Sequence, residues 1–308
     1  MSVRAVVFAY HDVGVRCLKT LLAKGIDVPL VITHADDPRE NTWFASVADV
    51  ASDHGLRCIT PADANGPQME DTLSELQPEF IFSFYYRQLL ASCLLRHARL
   101  GAFNMHGSLL PRYRGRAPVN WAILRGETET GVTLHEMVER ADAGPIVDQM
   151  SVPILIEDTA LEVFTKITVA AEIVLARSLP ALMAGNAPRR AQDLTQGCYV
   201  GRRRPEDGRI DWRRSALEIH NLVRAVAPPF PGAFTELVGR RLWIHRTRLI
   251  DSGEDRASAP QIFCVEGRCL IRCGDGRLLQ LLAAATDEGP VRLDELSARL
   301  ARRPISLI

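Results

Sequence analysis

Several signatures of common enzyme classes are missing from this chain of 308 residues. The apolar run at its start leads into Phe8–Gly14 without the Gly-x-Gly-x-x-Gly of dinucleotide sites, which disfavours a nicotinamide or flavin enzyme of the usual kind. A phosphate loop ending in Gly-Lys-Ser/Thr and a Gly-x-Ser-x-Gly nucleophile elbow are also lacking. Ser108 follows His106-Gly without the flanking glycine that would expose a nucleophile, so a hydrolase is disfavoured too.

Long apolar runs are also missing. None approaches the ~20 residues that a spanning helix needs, so we expect no membrane span. The first apolar run stops at His11-Asp12 and lacks the layout of a signal peptide. The seven cysteines are scattered and odd in number, which predicts a reducing, cytoplasmic compartment. Cys269-x-x-x-Cys273 approaches a metal spacing, but strand alternation places both thiols on one buried face, so no metal is expected.

Lysine is scarce, and arginine supplies almost all of the positive charge. Arginine favours bidentate contacts with phosphate or carboxylate over a diffuse positive field. The formal charge is zero overall, yet residues 201–308 carry 19 basic and 14 acidic groups. This distribution gives a weak indication of an anionic ligand.

Short apolar runs alternate with helical patterns over the first 200 residues. This alternation predicts a Rossmann-like, mostly parallel sheet with helices on both faces. Helices are expected over Thr42–His54 and Gln88–His97, among others. Residues 185–211 are rich in Pro, Gly and Arg and read as a linker, and brief alternating runs beyond it predict a small, OB-like β-barrel. We therefore expect an α/β domain over residues 1–200 and a β-barrel domain over 201–308.

The predicted strand Ala102–His106 carries the most informative polar residues. Asn104 and His106 project from the same face, at the carboxyl end of a parallel strand, where open α/β sheets bind ligands. A histidine in an apolar strand is often a core residue, but Asn104 adds a neutral donor for a developing oxyanion. Asp142, in a downstream turn, would orient the imidazole and favour its protonated form. Asn, His and Asp without a nucleophile indicate direct attack by a substrate amine or hydroxyl on a bound acyl donor.

Three blocks of the sequence resemble the signatures of folate-dependent formyltransferases. They are Asn104-Met-His-Gly-Ser-Leu-Leu-Pro111, Tyr113-Arg-Gly-Arg-Ala-Pro118, and Gly131-Val-Thr-Leu-His with Asp142-Ala-Gly144. Residues 201–308 resemble the second domain of methionyl-tRNA formyltransferases. Within the family, the chain is most similar to the formyltransferase half of the bifunctional polymyxin-resistance protein, which formylates UDP-4-amino-4-deoxy-L-arabinose in lipid A modification.

The resemblance implies a formyl transfer from N10-formyltetrahydrofolate to a sugar amine. His106 would handle the proton, Asn104 would stabilise the oxyanion, and Asp142 would support the charged histidine. The resemblance also implies that Arg116 helps to bind the substrate or the cofactor. Tyr10, at a position where the chain departs from the methionyl-tRNA enzymes, is a candidate to stack on or hydrogen-bond a sugar or a base. The residues expected to bind the folate co-substrate are Gln88, Leu89, Leu90, Val138, Glu139, Arg140, Ala141 and Asp142.

The acceptor stays open at this point. The turn at Tyr10-His11-Asp12 and the acidic Asp36-Asp37-Pro38 differ from the methionyl-tRNA enzymes and disfavour a polyanion, so tRNA is a minority alternative. Another nucleotide-linked amino sugar, or a non-catalytic folate or nucleotide-sugar sensor, is also possible. Without a dinucleotide fingerprint, we expect oxidative decarboxylation of the UDP-sugar to lie on a separate chain. The sequence does not indicate the oligomeric state.

Overall fold

The computed structural model describes residues 3–38, 40–237, 239–251, 259–301 and 303–307. The chain forms two compact units. The first comprises Met1–Pro118, Glu129–Val152 and Phe164–Gly201, and the second comprises Val119–Thr128, Pro153–Val163 and Arg202–Ile308.

The strands are β1 (Arg4–Ala9), β2 (Asp27–Ile32), β3 (Cys58–Ile59), β4 (Phe80–Phe84), β5 (Gly101–His106), β6 (Arg114–Gly115), β7 (Glu129–Glu136), β8 (Ile146–Pro153), β9 (Tyr199–Val200), β10 (Ala233–Leu237), β11 (Arg240–Ile250), β12 (Gln261–Val265), β13 (Arg268–Arg272), β14 (Leu278–Thr286), β15 (Gly289–Pro290) and β16 (Ile305–Ser306). The helices are α1 (His11–Ala23), α2 (Val47–Asp53), α3 (Pro67–Leu76), α4 (Ser92–Leu95), α5 (Pro118–Leu124), α6 (Ala160–Met183), α7 (Ala216–Val226) and α8 (Leu293–Leu300).

The sheet of the first unit has the strand order β3-β2-β1-β4-β5-β7-β8. The pairs β2–β3, β1–β2, β1–β4 and β4–β5 are parallel, whereas β7 runs antiparallel to β5. The central strands β1 and β4 are buried at nearly every position, which explains why both read as continuous apolar runs. The predicted mostly parallel α/β architecture is confirmed.

Two predicted helices are shorter than the sequence pattern suggests. α2 begins at Val47 rather than at residue 42, because Ser46 caps it by accepting a hydrogen bond from the Asp49 N–H at 3.1 Å. The apolar residues Trp43 and Phe44 before it pack on the His11 ring instead of forming a helical face. Only Ser92–Leu95 is α-helical within 88–97, because residues 88–91 are bound through side chains to a neighbouring loop.

The second unit contains an antiparallel sheet in the order β10-β11-β14-β13-β12-β16, with β15 paired to β14. This sheet curls into a half-barrel, as the predicted barrel-like second domain requires. α7 starts in a capping box, in which Ser215 and Glu218 satisfy each other's backbone N–H groups. In the described part of the chain, no helix combines the length and the apolar character that crossing a membrane requires.

Candidate active site

β5 presents two polar side chains on one face near its carboxyl end. Asn104 and His106 are two residues apart along the strand, so both project to the same side. In the antiparallel pairing with β7, Asn104 lies directly opposite His135, and His106 lies opposite Thr133. Cross-strand partners share a face, so β7 contributes its own side chains to this surface.

Both ring nitrogens of His106 face oxygen atoms. Nε2 lies 2.9 Å from the carbonyl oxygen of Tyr113, which can only accept, so this nitrogen carries a proton. Nδ1 lies 3.6 Å from Oδ1 of Asp142. A protonated ring is therefore stabilised on both sides. His106 can exchange a proton with a substrate through Nε2 only when the hydrogen bond to Tyr113 opens.

Asp142 is held beside His106 by a loop that folds back after β7. Its backbone adopts the left-handed conformation, with φ at 53°. Oδ2 accepts a hydrogen bond from the N–H of Gly115 at 2.9 Å. The Gln192 amide donates to the carbonyl oxygens of Asp142 at 3.1 Å and Gly144 at 2.6 Å. Hydrogen bonds to both the side chain and the backbone of Asp142 therefore fix the position of its carboxylate.

The surroundings of Asp142 keep it charged. Burial alone would raise the pKa of this carboxyl group. The charge of His106, the contact with His135 and the N–H of Gly115 outweigh that penalty and hold the pKa of Asp142 well below its usual range. The site therefore contains a partly buried anion at neutral pH, with Oδ1 of Asp142 3.6 Å from Nδ1 of His106.

His135 is a member of this site that the sequence reasoning did not single out. It is 1% exposed, and its Nε2 lies 3.1 Å from Nδ2 of Asn104 and 3.6 Å from Oδ1 of Asp142. The residue is the last of the block Gly131-Val-Thr-Leu-His, so it stood in a motif without an assigned role. Only the register of β5 against β7 reveals that it neighbours Asn104.

Ser108 is not available as a nucleophile. Its side chain is fully buried, and Oγ donates to the carbonyl oxygen of Arg112 at 2.6 Å. The hydroxyl is therefore committed to shaping the turn after β5.

The two segments predicted to bind folate both carry exposed apolar side chains. Leu89 is 71% exposed and Val138 is 41% exposed. Leu90 packs on the core cluster that contains Ala102, and so does Met137, the residue before Val138. The remaining residues of the second segment, Glu139, Arg140 and Ala141, lead to Asp142 at the site. The role of these residues in binding folate stays a prediction.

The first of these segments is tied to the loop before α3. Gln88 accepts a hydrogen bond from the Ala64 N–H at 2.9 Å and donates to the Ala62 carbonyl oxygen at 2.8 Å. Asn65 donates to the Leu89 carbonyl oxygen at 2.9 Å and accepts from the Ala91 N–H at 2.7 Å. The Gln88 side chain therefore stabilises the loop before α3 through hydrogen bonds to its backbone.

Arg116 and Tyr10, the predicted substrate-binding residues, occupy different surroundings. Arg116 is exposed, and its N–H donates to the Val200 carbonyl oxygen at 2.9 Å. Tyr10 is 5% exposed, and its hydroxyl donates to Asp36 at 2.6 Å. Burial, the Asp36 hydrogen bond and nearby carboxylates raise the pKa of Tyr10 to about 12. Contact between Tyr10 and a substrate would require its hydroxyl to exchange this partner, whereas Arg116 is already accessible.

Family models match both parts of the chain. The model described as formyl transferase matches residues 3–179, and the model described as formyl transferase, C-terminal domain, matches residues 203–296.

Solved structures of similar fold are named as N-formyltransferases. An N-formyltransferase from Helicobacter canadensis, in complex with folinic acid and dTDP-3-aminofucose, is 22% identical with a TM-score of 0.71, covering 91% of this chain and 99% of that one. WlaRD, a sugar 3N-formyl transferase with dTDP and 5-N-formyl-THF, is 21% identical with a TM-score of 0.68, covering 93% and 98%. A sugar N-formyltransferase from a Shewanella species is 21% identical with a TM-score of 0.64, covering 79% and 96%.

Proposed function

The chain belongs to the formyl transferase family, and we propose that it transfers a formyl group from N10-formyltetrahydrofolate to the amino group of a nucleotide-linked sugar. The predicted enzyme class, a formyltransferase, is confirmed by that membership. We further propose UDP-4-amino-4-deoxy-L-arabinose as the acceptor, which would place the reaction in lipid A modification and polymyxin resistance. Residues 1–200 would hold the chemistry, and residues 201–308 would form the second domain.

One observation supports this function above the others. A partly buried, charged Asp142 lies 3.6 Å from His106, which shares a strand face with Asn104. The nearby Ser108 hydroxyl is engaged, so no acyl-enzyme on this serine is expected. Proton transfer, oxyanion stabilisation and charge support without a nucleophile are the requirements for direct attack of an amine on an activated formyl group.

The proposed roles of the three residues follow from their contacts. The bound N10-formyltetrahydrofolate supplies the formyl group. An N–H of Asn104 donates to the formyl oxygen as that atom gains negative charge, which is worth about 10²–10³ in rate. With the hydrogen bond to Tyr113 open and the ring proton on Nδ1 toward Asp142, Nε2 of His106 accepts the proton that the attacking amine loses and returns it to the departing nitrogen, which is worth about 10²–10⁴ in rate. Asp142 stabilises the imidazolium between these two transfers.

The residues predicted to hold the folate fit a ligand with a flat ring system. Leu89 and Val138 expose apolar side chains on segments that pack on one core cluster. Exposed apolar groups of this size are well suited to cover an aromatic ring. The hydrogen bonds from Asn65 and Gln88 hold the segment that carries Leu89 before any ligand arrives.

The charge around the loop after β2 supports a sugar over tRNA. Tyr10 packs on His34 and Phe44 of this loop, and the guanidinium of Arg87 lies 4.7 Å from the centre of the Tyr10 ring. Its charge is balanced by Glu40 at 2.8 Å, and Asp36 accepts the Tyr10 hydroxyl hydrogen bond. A polyanionic backbone gains little from such a surface. Two of the similar structures contain dTDP or a dTDP-amino sugar, which adds support for a nucleotide-linked sugar.

A formyl-transfer assay tests the proposal. The purified protein is given N10-formyltetrahydrofolate with UDP-4-amino-4-deoxy-L-arabinose, with dTDP-3-aminofucose, or with methionyl-tRNA, and products are followed by mass spectrometry. Formylation of the UDP-sugar is the expected result, and formylation of the dTDP-sugar alone would retain the reaction but correct the acceptor. Product on tRNA alone would overturn the sugar proposal, and saturable folate binding without any product would indicate a sensor.

A pair of histidine variants controls for nonspecific effects in the same assay. His106→Asn is expected to lower turnover by at least about 10²-fold, since it removes the proton carrier. His54→Asn changes an exposed histidine after α2 and should leave turnover unchanged. Equal activity in both variants would remove His106 from the mechanism.

A further inference from the structure

We propose that His135 is a positioning residue that fixes the Asn104 amide so that one of its N–H groups points to the formyl oxygen. This inference rests on the formyl transfer proposed above. It concerns the orientation of the oxyanion donor, which the roles of Asn104, His106 and Asp142 do not explain by themselves.

The tautomer of His135 follows from its two partners. Nδ1 lies 2.9 Å from the carbonyl oxygen of Glu136, and a carbonyl oxygen only accepts, so Nδ1 carries a proton. Nε2 lies 3.1 Å from Nδ2 of Asn104, and an amide nitrogen only donates. Both contacts are satisfied together only by a neutral ring with its proton on Nδ1 and a lone pair on Nε2.

This hydrogen bond determines which N–H group of the Asn104 side chain stays available to a substrate. The amide nitrogen has two N–H groups in one plane, and His135 binds one of them. The direction of the second N–H is then set by the planarity of the group. A terminal amide is otherwise free to rotate between two broad orientations, one of which would present oxygen instead of N–H to the developing oxyanion. His135 selects the productive orientation before substrate binds.

Asp142 lies 3.6 Å from both histidines, yet their contacts give them different roles. His106 donates from Nε2 to the Tyr113 carbonyl oxygen, and its Nδ1 faces the Asp142 carboxylate. Because both ring nitrogens face oxygen acceptors, this ring can carry a positive charge. A charged His135 would set two donors, its own Nε2–H and the Asn104 amide, against each other at 3.1 Å. The same carboxylate can therefore support a proton carrier on one side and a neutral acceptor on the other. The 3.6 Å separation from His135 is too long for a hydrogen bond that would compete with Asn104.

Burial makes this arrangement persistent. His135 is 1% exposed, so water does not replace Asn104 as its partner. The pairing of β5 with β7 places the two side chains opposite each other through backbone hydrogen bonds. The acceptor is therefore held by strand register and does not depend on a mobile loop.

The first test is independent of catalysis. In protein labelled with ¹⁵N-histidine, the ring nitrogen shifts of His135 should show a neutral ring protonated on Nδ1 at pH 7. Asn104→Ala should change the Nε2 shift of His135 and leave its Nδ1 proton in place. A charged ring, a proton on Nε2, or an Nε2 shift that ignores the loss of Asn104 would overturn the proposal even if no acceptor is ever formylated.

Kinetics then separate positioning from packing. His135→Leu fills the space without an acceptor and is expected to lower kcat by about 10- to 100-fold, less than the full loss of an oxyanion donor. The KM values of both substrates should change by less than about threefold, because the amide acts in the transition state. His135→Gln, which restores an acceptor oxygen, should recover a large part of kcat. The exposed His54→Leu serves as the control and should keep full activity.

Two results would contradict the role. If His135→Leu and His135→Gln were equally impaired at equal thermal stability, the ring would be needed for its shape alone. If KM rose while kcat was unchanged, His135 would contribute to ground-state binding. Absence of formyl transfer in the unmodified enzyme would instead count against the proposed function. The tautomer measurement would still show whether His135 accepts a hydrogen bond from Asn104.

Discussion

The hydroxyl group of Tyr85 fills the space that a side chain at position 107 would need. A Cβ atom at Gly107 would overlap the Tyr85 Oη atom and would lie 3.0 Å from Cζ of the same ring. Within the described residues this hydroxyl is buried and has no hydrogen-bond partner. The glycine that follows His106 is therefore required by the aromatic residue at the end of the neighbouring strand β4.

Tyr85→Phe is expected to leave the free energy of unfolding unchanged or to raise it by up to about 1 kcal/mol, because burying an unpaired hydroxyl costs about 1–3 kcal/mol. Gly107→Ala is expected to lower it by about 1–3 kcal/mol through overpacking. Urea unfolding of both variants and of the double variant checks the contact. The double variant should recover part of the loss, and strictly additive effects would show that the two residues do not compete for space.

Asp142→Asn is expected to fold and to lose most activity, because the amide can still accept from Gly115 but cannot stabilise a charged His106. The folded-state pKa of Asp142 lies below the ordinary value of about 3.9. Its ionised form therefore stabilises the folded protein above that value, and this contribution is lost as the pH falls toward the folded-state pKa.

The corresponding measurement is urea unfolding of the unmodified protein and Asp142→Asn between about pH 6 and pH 3. The difference between their free energies of unfolding should stay constant above about pH 5. Below about pH 4, the unmodified protein should lose stability relative to Asp142→Asn. A difference that does not vary with pH would show that Asp142 is no more acidic in the folded protein than in the unfolded chain.

Asn65→Ala is expected to raise the KM for N10-formyltetrahydrofolate by about 3- to 10-fold, since it removes two hydrogen bonds to the segment that presents Leu89. The KM for the amino sugar should change much less. Asn186→Ala, at an exposed turn, is the matched control and should behave like the unmodified enzyme. Equal changes in the two KM values would mean that the segment does not act on the folate side.

Arg224→Met is expected to lower the free energy of unfolding by about 2–4 kcal/mol, because the buried guanidinium holds several acceptors that would lose their partner. It donates to Asn221 at 2.8 and 3.0 Å and to the carbonyl oxygens of Leu155 and Asp158 at 3.2 Å. Arg214→Met, which removes an exposed ion pair with Glu218, should change stability by no more than about 0.5 kcal/mol. Similar losses in both variants would assign no special role to the buried arginine.

Some helices and strands could be predicted from the sequence, because their apolar pattern or capping residues match the burial and the ends seen in the structure. β4 is apolar at almost every position because it is buried on both faces, and α7 begins at the capping box of Ser215 and Glu218. The Ser46 cap is a local signal for the start of α2, whereas Trp43 and Phe44 before it pack on the distant His11 ring. Local patterns cannot show such tertiary contacts.

The same limit applies to the site. The face shared by Asn104 and His106 follows from strand alternation alone, and Asp142 was identified as an acidic partner for the imidazole in a downstream turn. The hydrogen bond between Asn104 and His135 depends on strand pairing across 31 residues, which no local periodicity reveals. The burial of Tyr10 likewise follows from Asp36 and Phe44, which reach it from another loop.

The antiparallel pairing of β5 with β7 has a consequence for how the chain tolerates insertions and deletions. Side chains alternate faces along a strand, so a one-residue shift of β7 would place Leu134 or Glu136 opposite Asn104. A single-residue deletion inside β7 would thus replace an imidazole with an aliphatic or acidic group without altering any residue of β5. The connection between the two strands carries Tyr113 and Gly115, which bond to His106 and Asp142, so a change of length there would disturb the site even where the register is kept.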